Sequence, residues 1–434
     1  MAYSRKENNT TNYIHPNESN LWELHKAMVY DPYNAPSLRV DDTSVQHTSK
    51  NRRKVTNQSL AFYSSFQYTK DVQVWDEQLT LGATSTYVDE ESIVKIEVTG
   101  TAGSEAIRQT RKVMRYVPGR QVEVAFAGRF GPEAPGIRRR AGVFDELNGV
   151  YFENTGSEFF VVVRRELAGG GIEEDRVEQE EWSEDRLDGT GPSGIIADSE
   201  NMQLLVIEYE WYGVGSVEFK FVLNDRAVPV HRFDFTNNIQ RTWAKTAFLP
   251  IRAEITNLTG ETDSSSFYHG SNSVLVEGNI ENKGVAENIS SPIVGKDTGN
   301  AGTFTPVLSI RLKADRRAGV ALPVEFQAAA LDNSSIFYQI YLDTVLTGPT
   351  WNSVSDDSFI EYDTDATALA GGRLMQSGYI TPEFQGTKQK FPVDEGDYLG
   401  RNDLGTTSQI LTISVASSGA NKDAWAAITW IETR

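Results

Sequence analysis

Five carboxylates close to a glycine-rich turn are the residues whose types and spacing come nearest to catalytic chemistry. Asp185, Asp188 and Asp198 flank the turn, and Glu208 and Glu210 follow on the next predicted strand. A pair of such carboxylates could act as general acid and nucleophile in a glycosidase. Glu208 and Glu210, however, alternate with apolar neighbours, which is typical of the solvated face of a sheet. A solvated sheet face is therefore the favoured interpretation, with glycoside cleavage as the alternative.

Aromatic residues that follow these carboxylates could form a binding platform for sugars. Trp211, Tyr212, Phe219 and Phe221 lie close together in the chain. Aromatic side chains on strands are usually buried, so core packing is the favoured interpretation of the group. A glycan-binding surface is the alternative, and Trp211 and Tyr212 are its candidate contacts.

Metal and cofactor chemistry has little support in the sequence. None of the five histidines is paired at the spacing of metal ligands, and the chain contains neither an HExxH pattern nor a Walker lysine. It has no cysteine, which excludes disulfides and thiolate metal sites. Asp363-Thr364-Asp365 could bind calcium, but the loop lacks the twelfth-position glutamate of an EF-hand. We therefore expect no cofactor, and we predict that the chain is not an enzyme.

The charge of the chain limits its partners. A formal net charge of −19 over 434 residues argues against nucleic acid as a general partner. The acidic stretch from Glu173 to Asp188 predicts a solvated strand edge or loop, with a divalent-cation site as the alternative. The basic run from Arg138 to Arg140 predicts a solvated loop end, with steering of an acidic partner as the alternative. No stretch is apolar and long enough to cross a bilayer, so we expect no membrane insertion.

The first 70 residues differ from the rest and predict an N-terminal arm. Residues 1–20 are polar with little periodicity, which is typical of an extended segment. Ser19-Asn20 could cap a short helix that carries Trp22, Leu24 and Met28. Such a short helix is marginal in water by itself. We predict that these three side chains dock on a neighbouring subunit and act in assembly.

From about residue 71 onwards the sequence predicts strands. Apolar and polar residues alternate with a period of two, which buries one face of an antiparallel sheet and leaves the other in water. Asn148-Gly149 and Asn224-Asp225 lie between such runs and predict tight hairpins. The clearest alternating sets are Val94, Ile96 and Val98; Val122, Val124 and Phe126; and Val217, Phe219, Phe221 and Leu223.

The predicted fold class is all-β, with two β-sandwich or jelly-roll-like domains after the extended arm. Residues 71–265 are assigned to the first sandwich and residues 306–434 to a second, smaller one. Residues 266–305 are dominated by Gly, Asn, Ser, Thr and Glu, so they predict a linker or a long loop, in which Ser273 to Val276 could form one strand.

Five blocks stand out along the chain. They are Arg115 to Arg120 (RYVPGR), Gly142 to Glu153 (GVFDELNGVYFE), Asp185 to Asp198 (DRLDGTGPSGIIAD), Glu208 to Val217 (EYEWYGVGSV) and Leu249 to Ile255 (LPIRAEI). In that order they resemble a recurring family of bacteriophage virion structural proteins, which comprises tail, fibre and head-appendage components.

This resemblance implies a virion protein that is made in the host cytoplasm and assembles with capsid, neck or tail proteins. Phage fibres and appendages are commonly homotrimers, so the resemblance implies a homotrimer as the first oligomer hypothesis. A second function class stays open, in which one β-domain is a receptor-binding module that recognises a host surface glycan.

Overall fold

A computed structural model shows two compact units, residues 1–56 and residues 57–434. In the first unit, Met28–Val29 pairs with Arg39–Val40 in antiparallel fashion. The structure describes residues 28–29, 39–40, 57–156, 158–279, 284–316, 319–330, 335–380, 389–390, 399–402, 404 and 407–433.

Strands dominate the described residues, which contain no α-helix and therefore no helix able to span a membrane. Among the described residues, complete 3-10 turns lie at Asp89–Glu91, Gln179–Glu181 and Ala314–Arg316. The strands up to residue 277 are β1 (Met28–Val29), β2 (Arg39–Val40), β3 (Gln58–Ser64), β4 (Trp75–Thr80), β5 (Thr84–Val88), β6 (Ile93–Thr99), β7 (Glu105–Thr110), β8 (Val122–Arg129), β9 (Ala134–Phe144), β10 (Gly149–Gly156), β11 (Glu158–Glu166), β12 (Ile172–Glu178), β13 (Gln203–Tyr209), β14 (Val217–Leu223), β15 (Arg226–Phe233), β16 (Ile251–Asn257) and β17 (Ser264–Glu277).

The remaining strands are shorter on average and lie between residues 285 and 433. They are β18 (Val285–Ser290), β19 (Lys296–Asp297), β20 (Thr305–Leu312), β21 (Val320–Ala330), β22 (Ile336–Leu342), β23 (Val345–Thr347), β24 (Asn352–Ser353), β25 (Ile360–Asp363), β26 (Ala368–Ala370), β27 (Arg373–Ile380), β28 (Gln389–Lys390), β29 (Arg401–Asn402), β30 (Thr407–Ser408), β31 (Leu411–Ser417) and β32 (Asp423–Thr433).

The first sandwich consists of two antiparallel sheets that share one core. Seven strands form one sheet in the order β12-β11-β10-β9-β16-β7-β4. The other sheet has the order β15-β14-β13-β8-β17-β6-β5, and β3 also pairs with β17. Phe152 of the first sheet meets Phe219 of the second edge-to-face, with their ring centroids 5.1 Å apart. Contacts of this kind bury large apolar area and stabilise the sandwich.

The second sandwich has the same construction with fewer strands. Its sheets have the orders β18-β32-β21-β28, with β19 also paired to β32, and β24-β25-β20-β31-β22-β27. Ile310 and Ile340 of one sheet and Phe326 and Trp430 of the other belong to one buried core. The two sandwiches confirm the predicted all-β fold class.

Local sequence explains most of these strands. All three predicted alternating sets lie on strands, and their apolar side chains are buried except for Leu223, which is partly buried. Asn224 and Asp225 form a two-residue loop between β14 and β15, and both have a positive φ, as a type I′ hairpin requires. The acidic stretch 173–188 includes edge strand β12, in agreement with the prediction.

The predicted linker over residues 266–305 is wrong in its first part, apart from the strand expected at Ser273 to Val276. Residues 264–277 form the long strand β17, which pairs with β3, β6 and β8 inside the eight-stranded sheet. Its inward positions include Ser265 and His269, so the polar composition hides the alternation. Strand β3 likewise belongs to this sheet, although residues 1–70 were assigned to the arm. The other domain boundaries stay predictions.

The assembly prediction for the arm falls mostly outside the described residues. Trp22 and Leu24 lie there, as does most of the predicted helix. Met28 is in strand β1, paired with Val40, so the predicted helix does not include it. A residue in an extended strand cannot also continue a helix. The role of these side chains in assembly stays a prediction.

The two sandwiches meet within the second unit. Val113 and Phe248 of the first pack with Val320 and Leu322 of the second in a small apolar cluster. Beside it, Arg115 Nη2 donates a hydrogen bond to Thr433 Oγ1 at 3.2 Å. The last described strand is therefore held against the loop that precedes β8.

Candidate functional site

A cavity of about 390 Å³ lies beside Trp211, where the two sandwiches meet. Ligand sites are commonly pockets of roughly 300–1,000 Å³ with largely apolar walls and a few polar groups. Residues 115–118, Arg120 and residues 245–248 form most of the wall, and Thr433 of the second sandwich completes it. The blocks RYVPGR and EYEWYGVGSV, which are about 90 positions apart, thus meet at one cavity.

Tyr116 connects these two blocks. Its hydroxyl accepts a hydrogen bond from the backbone N–H of Tyr212 at 3.2 Å, and its ring meets the Trp211 ring edge-on at 6.0 Å between centroids. Burial raises the pKa of Tyr116 to about 12, so the hydroxyl stays protonated at neutral pH. Trp211 Nε1 donates to the carbonyl oxygen of Ala244 at 3.1 Å. These contacts fix the orientation of the half-buried Trp211 ring.

Gly119 allows the loop to pack against Tyr212. Its φ of +92° lies in the region that favours glycine, and a Cβ atom there would lie only 2.9 Å from the Tyr212 hydroxyl oxygen. The Arg120 N–H donates to the Val117 carbonyl at 3.1 Å and closes the turn. Tyr212 is 42% exposed and supports the loop without lining the cavity.

Three cationic side chains line the cavity. Arg115 donates to Thr433, and Arg120 Nη1 donates to the backbone carbonyl of Asn279. The exposed ammonium of Lys245 pairs with Glu166 at 3.0 Å. No Asp or Glu is found among the described residues of the wall. The wall therefore offers aromatic, hydroxyl and cationic groups to a ligand.

The carboxylates singled out in the sequence have structural contacts elsewhere. Asp185, Asp188 and Asp198 each accept backbone N–H groups of their own loops. Glu208 Oε1 accepts a hydrogen bond from the buried ammonium of Lys220 at 2.7 Å. None of these carboxylates lines the cavity. Glu208 and Glu210 are both buried, so the predicted solvated sheet face is wrong.

The four aromatic residues do not form one platform. Phe219 and Phe221 are fully buried in the core of the first sandwich, as the core-packing interpretation predicts. Trp211 and Tyr212 lie beyond the end of β13, in the loop beside the cavity. Their role as glycan contacts stays a prediction.

The seven-stranded sheet contains a buried ion-pair network that was not predicted from the sequence. Arg140 Nε lies 2.6 Å from Glu153 Oε2, and its Nη1 lies 3.1 Å from Glu254 Oε1. Arg252 Nη2 pairs with the other oxygen of Glu254 at 2.9 Å. All four side chains are at least 94% buried. The predicted solvated loop end at residues 138–140 is therefore wrong, because these arginines lie within β9.

The loop Asp363-Thr364-Asp365, for which calcium binding was the alternative, also has a structural role. The Asp363 carboxylate accepts hydrogen bonds from the backbone N–H groups of Thr350, Asp365 and Ala366 at 2.6 to 3.1 Å.

His231 has a structural contact as well. Its Nδ1 accepts a hydrogen bond from the backbone N–H of Ser183, and burial lowers the pKa of this histidine. Across the part of the chain that the structure describes, no three His, Asp or Glu side chains are placed to hold a metal ion.

Comparison with known proteins gives structural matches alone. No family model and no curated protein matches the chain. A glycosyl hydrolase family 16 protein from Mycobacterium smegmatis has a TM-score of 0.34 and 12% identity over 50% of this chain and 100% of its own. The legume lectin-like domain from Entamoeba histolytica has a TM-score of 0.29 and 10% identity over 47% of this chain and 90% of its own.

A phage protein is also among the similar structures. The CBM2 module of the evolved Dit of Lactobacillus casei BL23 phage J-1 has a TM-score of 0.32 and 9% identity, and the match covers 52% of this chain and 98% of the module. Likeness at this level describes the β-sandwich fold and assigns no activity to this chain. The prediction that the chain is not an enzyme does not stand, since glycosyl hydrolases are themselves among the similar structures.

Proposed function

We propose that the chain is a bacteriophage virion protein that recognises a host surface glycan in the cavity beside Trp211. One observation carries the proposal: two of the blocks that resemble phage virion proteins, separated by about 90 positions, both contribute residues to the wall of one cavity, the second block through Trp211. If these blocks resembled the phage proteins only because their residues pack the core, they would not be expected to line a cavity.

The wall suits a sugar in its chemistry and its size. Sugar rings have an apolar C–H face, which packs on an aromatic ring through dispersion contacts, and hydroxyl groups that need hydrogen-bond partners. Trp211 supplies a ring held by its bond to Ala244, and Thr246 and the nearby cations supply polar groups. A site held in place before binding loses less entropy when the ligand arrives.

The proposed place of the protein is the virion, in contact with capsid, neck or tail proteins and assembled as a homotrimer. The resemblance of the five blocks supports this part of the proposal. Repeated subunits of fibres and appendages commonly form closed symmetric oligomers, so a trimer would present three equivalent cavities to a bacterial surface.

Binding to a glycan array, followed by calorimetric titration of the best ligand, tests the recognition site. Trp211→Ala removes the ring, and we expect at least about thirtyfold weaker binding, as for a central aromatic contact. Trp211→Phe should retain part of the affinity. Trp351→Ala is the matched control, because Trp351 is half-buried, packs on Arg311 at 4.0 Å and lies outside the cavity.

Two results would contradict the proposal. One is the absence of glycan binding by the full-length protein. The other is equal affinity of the wild type and Trp211→Ala while circular dichroism shows an intact fold for both.

A further inference from the structure

We propose that the outer edge of strand β3 binds the β1–β2 strand pair from the N-terminal arm, residues 1–56, of a second copy of the chain. The inference rests on the assembly part of the proposed function, and it names the surface and the segment through which copies contact each other. The glycan cavity has no part in it. One observation on β3 and a separate one on the arm support it.

Strand β3 is an unprotected edge of the eight-stranded sheet. Within the described residues it pairs with β17 alone, and its seven residues, QSLAFYS, include neither a charged residue nor a proline. Leu60 and Tyr63 are 53% and 70% exposed. An exposed apolar edge strand is a template on which a further strand can pair, so soluble proteins commonly place charges or prolines there.

Other edge strands of the first sandwich have such protection. The acidic run Glu173 to Asp175 lies on β12, the pair Asp76-Glu77 lies on β4, and Pro229 lies on β15. At the edge formed by β5, the carbonyl of Ser85 accepts a hydrogen bond from the Lys70 ammonium at 3.4 Å. The edge at β3 therefore differs from these edges in being both uncharged and open.

A groove of about 900 Å³ follows this edge and is termed the β3 groove. Residues 60–69 and Thr110 of the first sandwich line it together with Leu342 and Gln409 of the second. Ala61, where a one-residue bulge shifts the register with β17, itself lines the groove, so the bulge does not close the edge. Seven strand residues extend about 23 Å, at roughly 3.3 Å per residue, which is the length of edge offered to an added strand.

The arm contains a strand pair that belongs to no larger sheet. Met28–Val29 and Arg39–Val40 pair with each other and, among the described residues, with no further strand. A two-stranded ladder by itself is marginally stable in water, and a third strand with an apolar face stabilises it. A strand added to a sheet edge gains main-chain hydrogen bonds along its length. The β1–β2 pair thus needs what the β3 groove offers.

The exposure of β3 favours a second copy as the source of the added strands. The arm is covalently continuous with β3, yet in the single chain Leu60 and Tyr63 remain exposed and β3 has no second pairing among the described residues. Residues 41–57 separate β2 from β3 and can span up to about 60 Å when extended, which reaches a neighbouring subunit. If each copy gives its arm to the next, three copies close a ring.

Single-cysteine variants test this contact, because the chain has no cysteine of its own. Leu60→Cys and Val29→Cys are introduced into two full-length chains with tags of different size, which are co-expressed and treated with a short bifunctional maleimide. We expect a crosslink between the two different chains. Leu79→Cys is the matched control for Leu60→Cys, since Leu79 is 42% exposed on edge strand β4 and lies outside the groove. It should form no crosslink with Val29→Cys.

A charge on the edge tests the same contact without a crosslinker. Leu60→Lys should weaken the association of full-length copies at least about tenfold in analytical ultracentrifugation, because a leucine is no longer buried and a charge enters the strand edge. Leu79→Lys, the matched control, should leave the association unchanged.

The outcomes separate the inference from the proposed function. If copies associate but Leu60→Cys and Val29→Cys do not crosslink, the inference fails and the proposed assembly stands. If the wild type stays monomeric at every concentration, both fail. A crosslink that forms only between two Leu60→Cys chains would show that β3 pairs with β3, and equal weakening by Leu60→Lys and Leu79→Lys would show a general effect of charge. Either result would overturn the inference.

Discussion

The buried network around Glu254 makes a quantitative prediction about stability. Burial alone would raise the pKa of this carboxyl, but Arg252, Arg140 and Arg138 overcome the effect and lower the pKa from 4.5 to about 2. Glu254→Gln removes the negative charge and leaves Arg252 and Arg140 buried beside a neutral amide. We expect the variant to fold with clearly reduced stability.

The magnitude follows from the pKa itself. A pKa that falls from 4.5 to about 2 on folding corresponds to about 3 kcal/mol at neutral pH, at roughly 1.4 kcal/mol per pKa unit. Breaking a buried ion pair by removing one partner commonly costs about 3–5 kcal/mol, which agrees. The folded pKa is depressed, so this stabilisation is present above pH 4.5 and is lost as the pH falls towards 2. By pH 3 about 2 kcal/mol of it should be gone.

Urea denaturation at pH 7, 5, 4 and 3 measures both quantities. The free energy of unfolding should be about 3 kcal/mol lower for Glu254→Gln than for wild type at pH 7, and this difference should become smaller towards pH 3. The control is Glu91→Gln, because Glu91 is half-exposed and lies 3.8 Å from Arg129, a geometry worth about 1 kcal/mol at most. Two results would refute the reasoning. One is a free energy of unfolding for Glu254→Gln within about 1 kcal/mol of the wild-type value at pH 7, and the other is a difference that does not change with pH.

Three further predictions concern other parts of the chain. Gly119→Ala should destabilise the protein by about 1–2 kcal/mol and weaken glycan binding, because a side chain at this positive φ would press on Tyr212; urea denaturation and titration measure the two effects. His269 is fully buried and its pKa is well below 6.5, so its ring should stay neutral at pH 5 in nitrogen NMR spectra, and a charged ring would contradict its placement. Deleting residues 1–40 should leave a folded protein that fails to join particles; normal incorporation of the truncated chain, measured by particle sedimentation, would disprove the assembly role of the arm.

Strands with regular alternation were predictable because their pattern is local. Val217, Phe219 and Phe221 point inward as every second residue must on a half-buried strand. Only the end of strand β17, Ser273 to Val276, was predicted, since polar residues such as Ser265 and His269 occupy inward positions of its earlier part and the register shifts between His269 and Asn272. A bulge of this kind interrupts the period on which the prediction depends.

The ion-pair network could not be predicted because its partners are distant in sequence. Three consecutive arginines resemble a solvated run, yet a strand sends Arg139 to one face and Arg140 to the other. Arg140 then meets Glu254, which is 114 positions away. Single-sequence patterns contain no information about such a pairing.

Some residues of the candidate cavity could be singled out from the sequence, but their proximity in space could not be predicted. The sequence singled out Trp211 and, separately, the block from Arg115 to Arg120. Their proximity depends on the Tyr116 hydroxyl bond to Tyr212, and the wall is completed by Thr433 near the end of the chain. Tertiary contacts between four remote segments, residues 115–120, Trp211, residues 245–248 and Thr433, create the cavity, so no local pattern indicates it.

The pairing of β3 with β17 has a consequence for biosynthesis. Ser59 pairs with Val276, so β3 can form its hydrogen bonds with β17 only after more than 200 further residues have been synthesised. At roughly 5–20 residues per second, a ribosome needs at least about ten seconds to bridge that interval. During this time the nascent chain exposes unpaired edges, and a protein with such remote pairings folds slowly. We therefore expect chaperones to bind the nascent chain during its synthesis.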